Sequence, residues 1–275
     1  MTNGELFVYA DAHPPCGPVR GFWRQNEGAG SAAFLGIPFA QPPVGSLRFA
    51  EPQPVAPWSE VRDALDYGAT PQRSDSEDSL IPEPAVPGDS TLNVNVFTPA
   101  PGDDSASLPV MVWIHGGGFT AGSPASPWYD GQSFNRDGVV TVTISYRLGF
   151  IGFGWVEGAP QNRGILDWLA ALRWVQNNIA SFGGDPGNVT IAGQSAGGGA
   201  VLTLLGMESA QPLFHRAISV SGALVGIPEA DARTTAKKIG AALGVPASRE
   251  ALDAVPESAI EEAQNKIGGA SIAEL

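Results

Sequence analysis

A G-x-S-x-G turn between a strand-like run and a helix-like run constrains the fold of this 275-residue chain more than any other feature. The run 189–192 is apolar and β-branched, Ser195 lies at the centre of the turn, and the apolar stretch 200–205 follows. A strand, a tight turn and a helix in that order hold a serine hydroxyl exposed at a helix N-terminus, where free N–H groups favour negative charge. A Cβ at Gly193 or Gly197 would collide where strand and helix converge. The pattern predicts an α/β fold and a serine suited to acyl transfer.

A glycine-rich loop after a second apolar run supports the same chemistry. Residues 110–114 lead into His115-Gly116-Gly117-Gly118. Glycines present backbone N–H groups with no side chain in the way, and such donors are what the oxyanion of a tetrahedral intermediate requires. Each motif alone is also compatible with an ordinary tight turn in an α/β domain. Together they favour a site for nucleophilic catalysis.

Hydrophobic periodicity predicts the remaining elements. The near-continuous apolar and β-branched runs at 110–114 and 139–144 are typical of strands buried on both faces, as in a parallel sheet. The predicted strands are 92–97, 110–114, 139–146, 189–192 and 217–221, preceded by short strand-like pieces at 6–9 and 19–23. Apolar residues three and four apart predict a helix over 165–182 that ends at a glycine pair. The other predicted elements are a proline-rich loop over 51–90 and helices over 229–243, 247–254 and 257–267.

Composition and charge argue against several classes of function. The formal net charge of −13 and the pI near 4.5 would repel nucleic acid. No apolar run is long enough to span a membrane, and the N-terminus has neither the basic nor the apolar region of a signal peptide. Scattered histidines form no metal-ligand set, and no glycine loop carries a phosphate-binding Gly-Lys-Ser/Thr, so we expect neither metal nor cofactor. Because Cys16 is the only cysteine, no intrachain disulfide can form, and a cytoplasmic, bacterial protein fits best.

Ordered motifs along almost the whole chain carry a resemblance to a known family. They are F-L-G-I-P-F-A-Q-P-P-V-G at 34–45, L-R-F at 47–49, N-V-F-T-P at 95–99, Y-R-L-G at 146–149, A-L-R-W-V-Q-N-N-I at 171–179, F-G-G-D-P at 182–186 and L-F-H-R-A-I-S at 213–219. In these motifs the chain resembles the type-B carboxylesterases, the cholinesterase-like branch of the α/β-hydrolases. The resemblance implies an α/β-hydrolase fold with a mainly parallel central sheet flanked by helices. It also implies a small-molecule ester substrate.

The same resemblance assigns roles at the site. Ser195 is similar to the family's nucleophile, and the N–H groups of Gly117, Gly118 and Ala196 are similar to its oxyanion donors. Gln194 stands where the family has a glutamate, which makes an uncharged ester a better substrate than a choline ester. Arg147 and Asp167 match charged family positions that we expect to form a buried structural pair.

Two further positions are compared in the same way. Arg48 and Asp89 are expected to form a second pair. Thr70 and Thr91 stand where secreted animal relatives have a disulfide, which again favours the cytoplasm.

The sequence offers no evident catalytic base or acid to act with Ser195. In this class they follow the serine in the order serine, acid, histidine. Of the three histidines, His13 lies in a proline-rich segment, His115 lies in the glycine loop, and His215 lies at a position that is structural in the family. Residues 1–275 are therefore expected to be the N-terminal portion of a single α/β-hydrolase domain. The resemblance places the acid and histidine in a missing C-terminal segment or on a second chain, the C-terminal fragment of the same protein.

Two other functions stay open at the level of sequence. The intact serine turn and the absence of disulfides argue against a non-catalytic cholinesterase-like binding module, whereas the missing acid and histidine argue for it. Cleavage of amides or carbamates would use the same serine site. Covalent labelling of Ser195 would separate a catalytic site from a binding module, and only a panel of substrates separates esters from amides.

Overall fold

The computed structural model describes residues 8–24, 30–72, 80–224 and 226–267, which form one mixed β-sheet with helices packed on it. The strands are β1 (Val8–Ala12), β2 (Val19–Arg24), β3 (Ser31–Pro38), β4 (Arg62–Asp63), β5 (Asn93–Thr98), β6 (Leu108–Ile114), β7 (Val140–Ile144), β8 (Gly184–Gln194) and β9 (Arg216–Val220). The helices are α1 (Gln132–Arg136), α2 (Gly149–Phe153), α3 (Arg163–Asn178), α4 (Ala196–Leu205), α5 (Glu229–Leu243), α6 (Arg249–Leu252) and α7 (Glu257–Ile267).

The sheet has the strand order β1-β2-β3-β5-β7-β6-β8-β9, with β4 beside β2. From β1 to β7 each neighbouring pair in this order is antiparallel, whereas β7, β6, β8 and β9 run parallel. The α/β architecture is as predicted, but the sheet is mixed: the parallel pairs are those of its second half and the short pair of β2 with β4. The difference follows from the connections: short links join β1, β2 and β3, whereas parallel neighbours need the helical crossovers that α1, α3 and α4 supply.

The core lies on both faces of the sheet, and α3 and α4 cover the face that contains Val112 and Ile191. Trp168 and Trp174 on α3 are buried in this core. Arg147 and Asp167 form the predicted buried pair, with two contacts, Nη2–Oδ1 at 2.7 Å and Nε–Oδ2 at 2.9 Å. This pair holds the start of α2 against α3.

A second, smaller core joins the C-terminal helices to the sheet. Phe49 and Phe150 pack with Ile239 of α5, Leu252 of α6 and Ile260 of α7. Arg48 donates to the carbonyl oxygens of Leu252 and Val255 and, within the described residues, makes no ion pair with Asp89, so the predicted second pair is wrong. The Arg48 guanidinium binds these two carbonyl oxygens of the C-terminal helices instead of the Asp89 carboxylate.

Strand β9 is the last strand at the parallel edge of the described sheet. It pairs with β8 on one side, and Ile218 and Val220 are 49% and 43% exposed. An apolar edge of this kind is a template for further pairing. In the described part of the chain, no helix is long and apolar enough to cross a membrane.

Candidate active site

Ser195 is the single residue between the end of β8 and the start of α4. Its backbone has φ 57° and ψ −122°, a conformation that L-residues rarely adopt. Two backbone hydrogen bonds hold it there: Ser195 N–H donates to Val220 O over 2.9 Å, and Ser195 O accepts from Gly199 N–H over 2.9 Å. The neighbouring strand β9 and the first turn of α4 thus fix the strained conformation.

Steric crowding around the turn confirms the need for glycine at two positions. A Cβ at Gly197 would lie 2.0 Å from the Ile114 carbonyl oxygen, and one at Gly193 would lie 2.4 Å from the Gly197 oxygen. A Cβ at Gly116 would lie 3.3 Å from the Ser195 Cβ. The glycine loop therefore packs directly against the serine turn.

The glycine loop, residues 116–122, folds back on itself after β6. Gly117 has φ 107°, and its carbonyl oxygen accepts from the N–H groups of Thr120 and Ala121 over 3.0 and 2.9 Å. A Cβ on Gly117 would lie 2.1 Å from the Ala121 oxygen, so only glycine fits. Gly118 also has a positive φ, at 60°.

Three backbone donors beside Ser195 are free of protein acceptors. Within the residues that the structure describes, the N–H groups of Gly117, Gly118 and Ala196 donate to no other group. Ala196 N–H belongs to the first turn of α4, where helix geometry leaves donors unsatisfied and the helix dipole attracts negative charge. The arrangement can therefore stabilise an anion next to the serine hydroxyl.

His115 is buried beneath the glycine loop and orients one of its peptides. Its Nδ1–H donates to Gly116 O over 2.8 Å, and its ring stacks on Tyr146 at a centroid distance of 4.4 Å. Burial lowers the pKa of His115 to about 4, with the bond to Gly116 partly opposing the shift, so the ring is neutral at pH 7. Because the Gly116–Gly117 peptide is trans, fixing the Gly116 carbonyl also fixes the opposite direction of the Gly117 N–H. The position of His115 in the loop was predictable from the sequence, but its hydrogen bond to the Gly116 carbonyl oxygen was not.

Neither of the other two histidines lies near Ser195. His215 Nδ1 accepts from Val189 N–H, at the start of the regular part of β8. Val189 precedes Ser195 by six residues of extended chain, about 20 Å at the usual strand rise. His13 is exposed and lies between β1 and β2, at the opposite edge of the sheet.

Two apolar cavities reach residues next to the site: Phe119 of the glycine loop lines one, and Gln194, which precedes Ser195, lines the other. One of about 330 Å³ lies between the loop and the C-terminal helices and is lined by Phe119, Phe153, Trp168, Thr203 and Ile227 among others. Another of about 340 Å³ is lined by Trp113, Trp128, Tyr129, Gln194 and Val220 among others. Among the described residues, no group of three or more histidine, cysteine, aspartate or glutamate side chains could hold a metal ion.

The mixed sheet, the crossover helices and the serine turn after parallel strand β8 define an α/β-hydrolase fold. The chain belongs to the carboxylesterase family, whose sequence model matches residues 10–272. It is 45% identical over 218 residues to the para-nitrobenzyl esterase of Bacillus subtilis (strain 168), covering 77% of this chain and 44% of that protein. It is 42% identical over 265 residues to the liver carboxylesterase of Sus scrofa, covering 89% of this chain and 46% of that protein.

Solved structures show the same relationship. A carboxylesterase of Geobacillus stearothermophilus at pH 6.8 superposes with a TM-score of 0.82 at 38% identity, over 94% of this chain and 55% of that one. A PNB esterase gives a TM-score of 0.82 at 37% identity, over 96% of this chain and 55% of that one. The chain therefore spans about half the length of the relatives that it matches.

Proposed function

We propose that this chain carries the nucleophile and oxyanion donors of a serine carboxylesterase, as the N-terminal portion of one α/β-hydrolase domain. The observation that carries the proposal is the strained Ser195, held beside three free N–H donors. Membership of the carboxylesterase family supports ester hydrolysis as the chemistry.

The proposed reaction is acyl transfer through a serine ester. A base takes the Ser195 hydroxyl proton as its oxygen attacks the ester carbonyl carbon, and the N–H groups of Gly117, Gly118 and Ala196 bind the resulting oxyanion. The intermediate collapses, the alkoxide leaves with the proton from the base, and Ser195 is acylated. Water then attacks the acyl carbonyl carbon with the same base as proton acceptor. The bond from the acyl carbon to Ser195 Oγ breaks, Oγ takes the proton from the base, and the carboxylic acid departs.

The base and its acidic partner are proposed to come from a C-terminal segment or a second chain. The positions of the histidines support this, because His115 is buried with Nδ1 bonded to Gly116 and the other two lie far from Ser195. Denaturing mass spectrometry of active protein provides the test. We expect the 28.5 kDa portion within a longer polypeptide or accompanied by a second fragment. Full activity from these 275 residues alone would contradict the proposal.

The substrate is proposed to be an uncharged ester with an aryl or short acyl group. The apolar cavity beside Phe119, the apolar cavity at Gln194 and the neutral side chain of Gln194 support this choice. The relative named para-nitrobenzyl esterase points in the same direction. The protein should hydrolyse para-nitrophenyl butyrate with a higher kcat/KM than butyrylthiocholine, and the reverse order would contradict the assignment. A para-nitroanilide of the same acid and a matching carbamate test the alternative amide and carbamate chemistry.

Covalent labelling tests the nucleophile. A fluorophosphonate should label the wild-type protein on the peptide that contains Ser195, and S195A should abolish both labelling and turnover. S219A is the matched control, because Ser219 lies on adjacent β9 and its hydroxyl donates to Gly198 O over 3.0 Å. Unlabelled wild-type protein would favour the non-catalytic binding module instead.

A cytoplasmic location is also proposed, supported by the single, half-buried and unpaired Cys16.

A further inference from the structure

The far end of the glycine loop is held from outside by a buried side chain, Gln72. Gly122 N–H, at the far end of the loop, donates to Gln72 Oε1 over 2.7 Å. Gln72 is only 8% exposed, and its Nε2 donates to the Glu83 carbonyl oxygen over 2.7 Å. The backbone N–H can only donate and the carbonyl can only accept, so the network fixes the orientation of the amide.

Gly122 transmits this contact to the peptide behind the oxyanion donors. Its backbone has φ 106°, and a Cβ there would lie 2.3 Å from both the Gly116 oxygen and His115 Nδ1. The Gly122 backbone therefore packs against the hydrogen bond that orients the Gly116–Gly117 peptide. A shift of Gly122 would displace Gly116 O and, through the trans peptide, the Gly117 N–H.

Hydrogen bonds of the neighbouring residue Thr70 fix the backbone at Gln72. Thr70, two residues earlier, pairs with Val86 through Thr70 N–H to Val86 O at 3.0 Å and Val86 N–H to Thr70 Oγ1 at 2.9 Å. Thr70 Oγ1 also donates to Gln72 O over 2.9 Å. Among the described residues, two side chains outside 115–122 hydrogen-bond the backbone of this segment: Tyr146 O–H donates to His115 O over 2.9 Å, and Gln72 accepts from Gly122 N–H at the far end.

We propose that Gln72 is a positioning residue for ester hydrolysis, holding the glycine loop through Gly122 so that the Gly117 N–H meets the oxyanion. The inference rests on the proposed function. Gln72 touches neither the substrate nor Ser195, so it acts through Gly122, Gly116 and Gly117. Its loss should weaken binding of the transition state while leaving binding of the ground state almost unchanged.

The test compares Q72M and Q72E in the full-length protein that shows esterase activity. Q72M keeps the length of the side chain and removes both hydrogen bonds, so kcat should fall by about 10- to 100-fold, with KM within about twofold of wild type. Inhibition by an aryl trifluoromethyl ketone, whose bound hemiketal places an oxyanion at the loop, should weaken by the same factor as kcat/KM. Q72E keeps an acceptor for Gly122 N–H and should retain more of kcat than Q72M.

Q176M separates positioning from a general loss of structure. Gln176 is half-buried, and its Nε2 donates to Pro186 O and Leu213 O, both at 3.0 Å, on the side of the sheet where β8 begins. Q176M should lose comparable thermal stability without losing kcat. A Q72M variant with wild-type kcat, or an equal loss of kcat in Q176M, would overturn the inference while the proposed function stands. A wild-type protein that neither hydrolyses esters nor reacts with fluorophosphonate would instead refute the proposed function.

Discussion

At the scale of single residues, burial sets the charge of the groups around Ser195. His115 is fully enclosed between the glycine loop and Tyr146, and its pKa falls to about 4. In the unfolded chain the same side chain has a pKa near its ordinary value of 6.5. The unfolded state therefore binds a proton at a pH where the folded state does not.

Acid should consequently destabilise the protein through His115. As the pH falls from 7 through 6.5 towards 4, the unfolded state gains a proton first, so the free energy of unfolding should drop by about 3 kcal/mol from this residue. Urea unfolding at pH 7, 5.5 and 4 measures the loss. H115N should remove that part of the pH dependence, whereas H13N, at an exposed histidine, should keep it. Identical slopes in wild type and H115N would refute the assignment.

Local motifs explain why the residues of the serine turn were predictable. Gly193, Gly197 and Ser195 are forced by a strand, a turn and a helix that are contiguous in sequence. His115 and Gln72 are different, because their partners lie elsewhere: Tyr146 is 31 residues from His115, and Gly122 is 50 residues from Gln72. Such contacts depend on tertiary packing, which no local pattern encodes. The catalytic roles of Ser195, Gly117, Gly118 and Ala196 stay predictions until they are measured.

At the scale of elements, β9 differs from the other parallel strands in its exposure. Strands β6, β7 and β8 are bordered on both sides, whereas β9 has one neighbour and exposes Ile218 and Val220. The exposed edge follows from the absence of a further strand beside it in the described residues.

A charge on β9 should suppress self-association of the 275-residue chain. I218K adds a lysine to the edge at which the β9 strands of two molecules would otherwise pair. Light scattering at a fixed protein concentration should therefore fall. V61K is the matched control, because Val61 is similarly exposed, at 48%, but lies beside the two-residue strand β4. Equal scattering by I218K and wild type would show that β9 does not mediate the self-association.

Element boundaries show where periodicity was sufficient and where it failed. The long apolar stripe predicted α3, which runs from Arg163 to Asn178 and continues as a 3-10 turn to Phe182. Strand β3 (Ser31–Pro38) was missed, because two alanines, a glycine and a proline weaken its β pattern and its pairing with β2 and β5 alone specifies it. The first half of the predicted strand 6–9 lies outside the described residues. The predicted helix 247–254 shrinks to Arg249–Leu252.

At the scale of the whole molecule, the C-terminal helices are tied to the sheet by a few long-range contacts. Arg48 donates to the carbonyl oxygens of Leu252 and Val255, and Phe150 N–H donates to Gln264 Oε1 over 2.6 Å. These contacts surround the smaller core around Phe49 and Phe150. Removing one of them should loosen the tail before it unfolds the sheet.

Limited proteolysis should detect that loosening. R48M removes both donations to the tail, so cleavage within α6 or α7 should be faster than in wild type, with fragments identified by mass. R173M, at an exposed arginine of α3, should leave the cleavage rate unchanged. Equal cleavage rates in R48M and wild type would show that hydrophobic packing alone holds the tail.

The hydrogen bond from Ser195 N–H to Val220 O also links the conformation of the serine to the folding of β9. Its strained conformation requires β9, which reaches β8 only after the α4 crossover has closed. Non-local parallel pairing of this kind is slow to form. During refolding, helical and sheet signals should therefore recover before Ser195 becomes reactive to a fluorophosphonate. Reactivity of the nucleophile would then report the moment at which the parallel half of the sheet is complete.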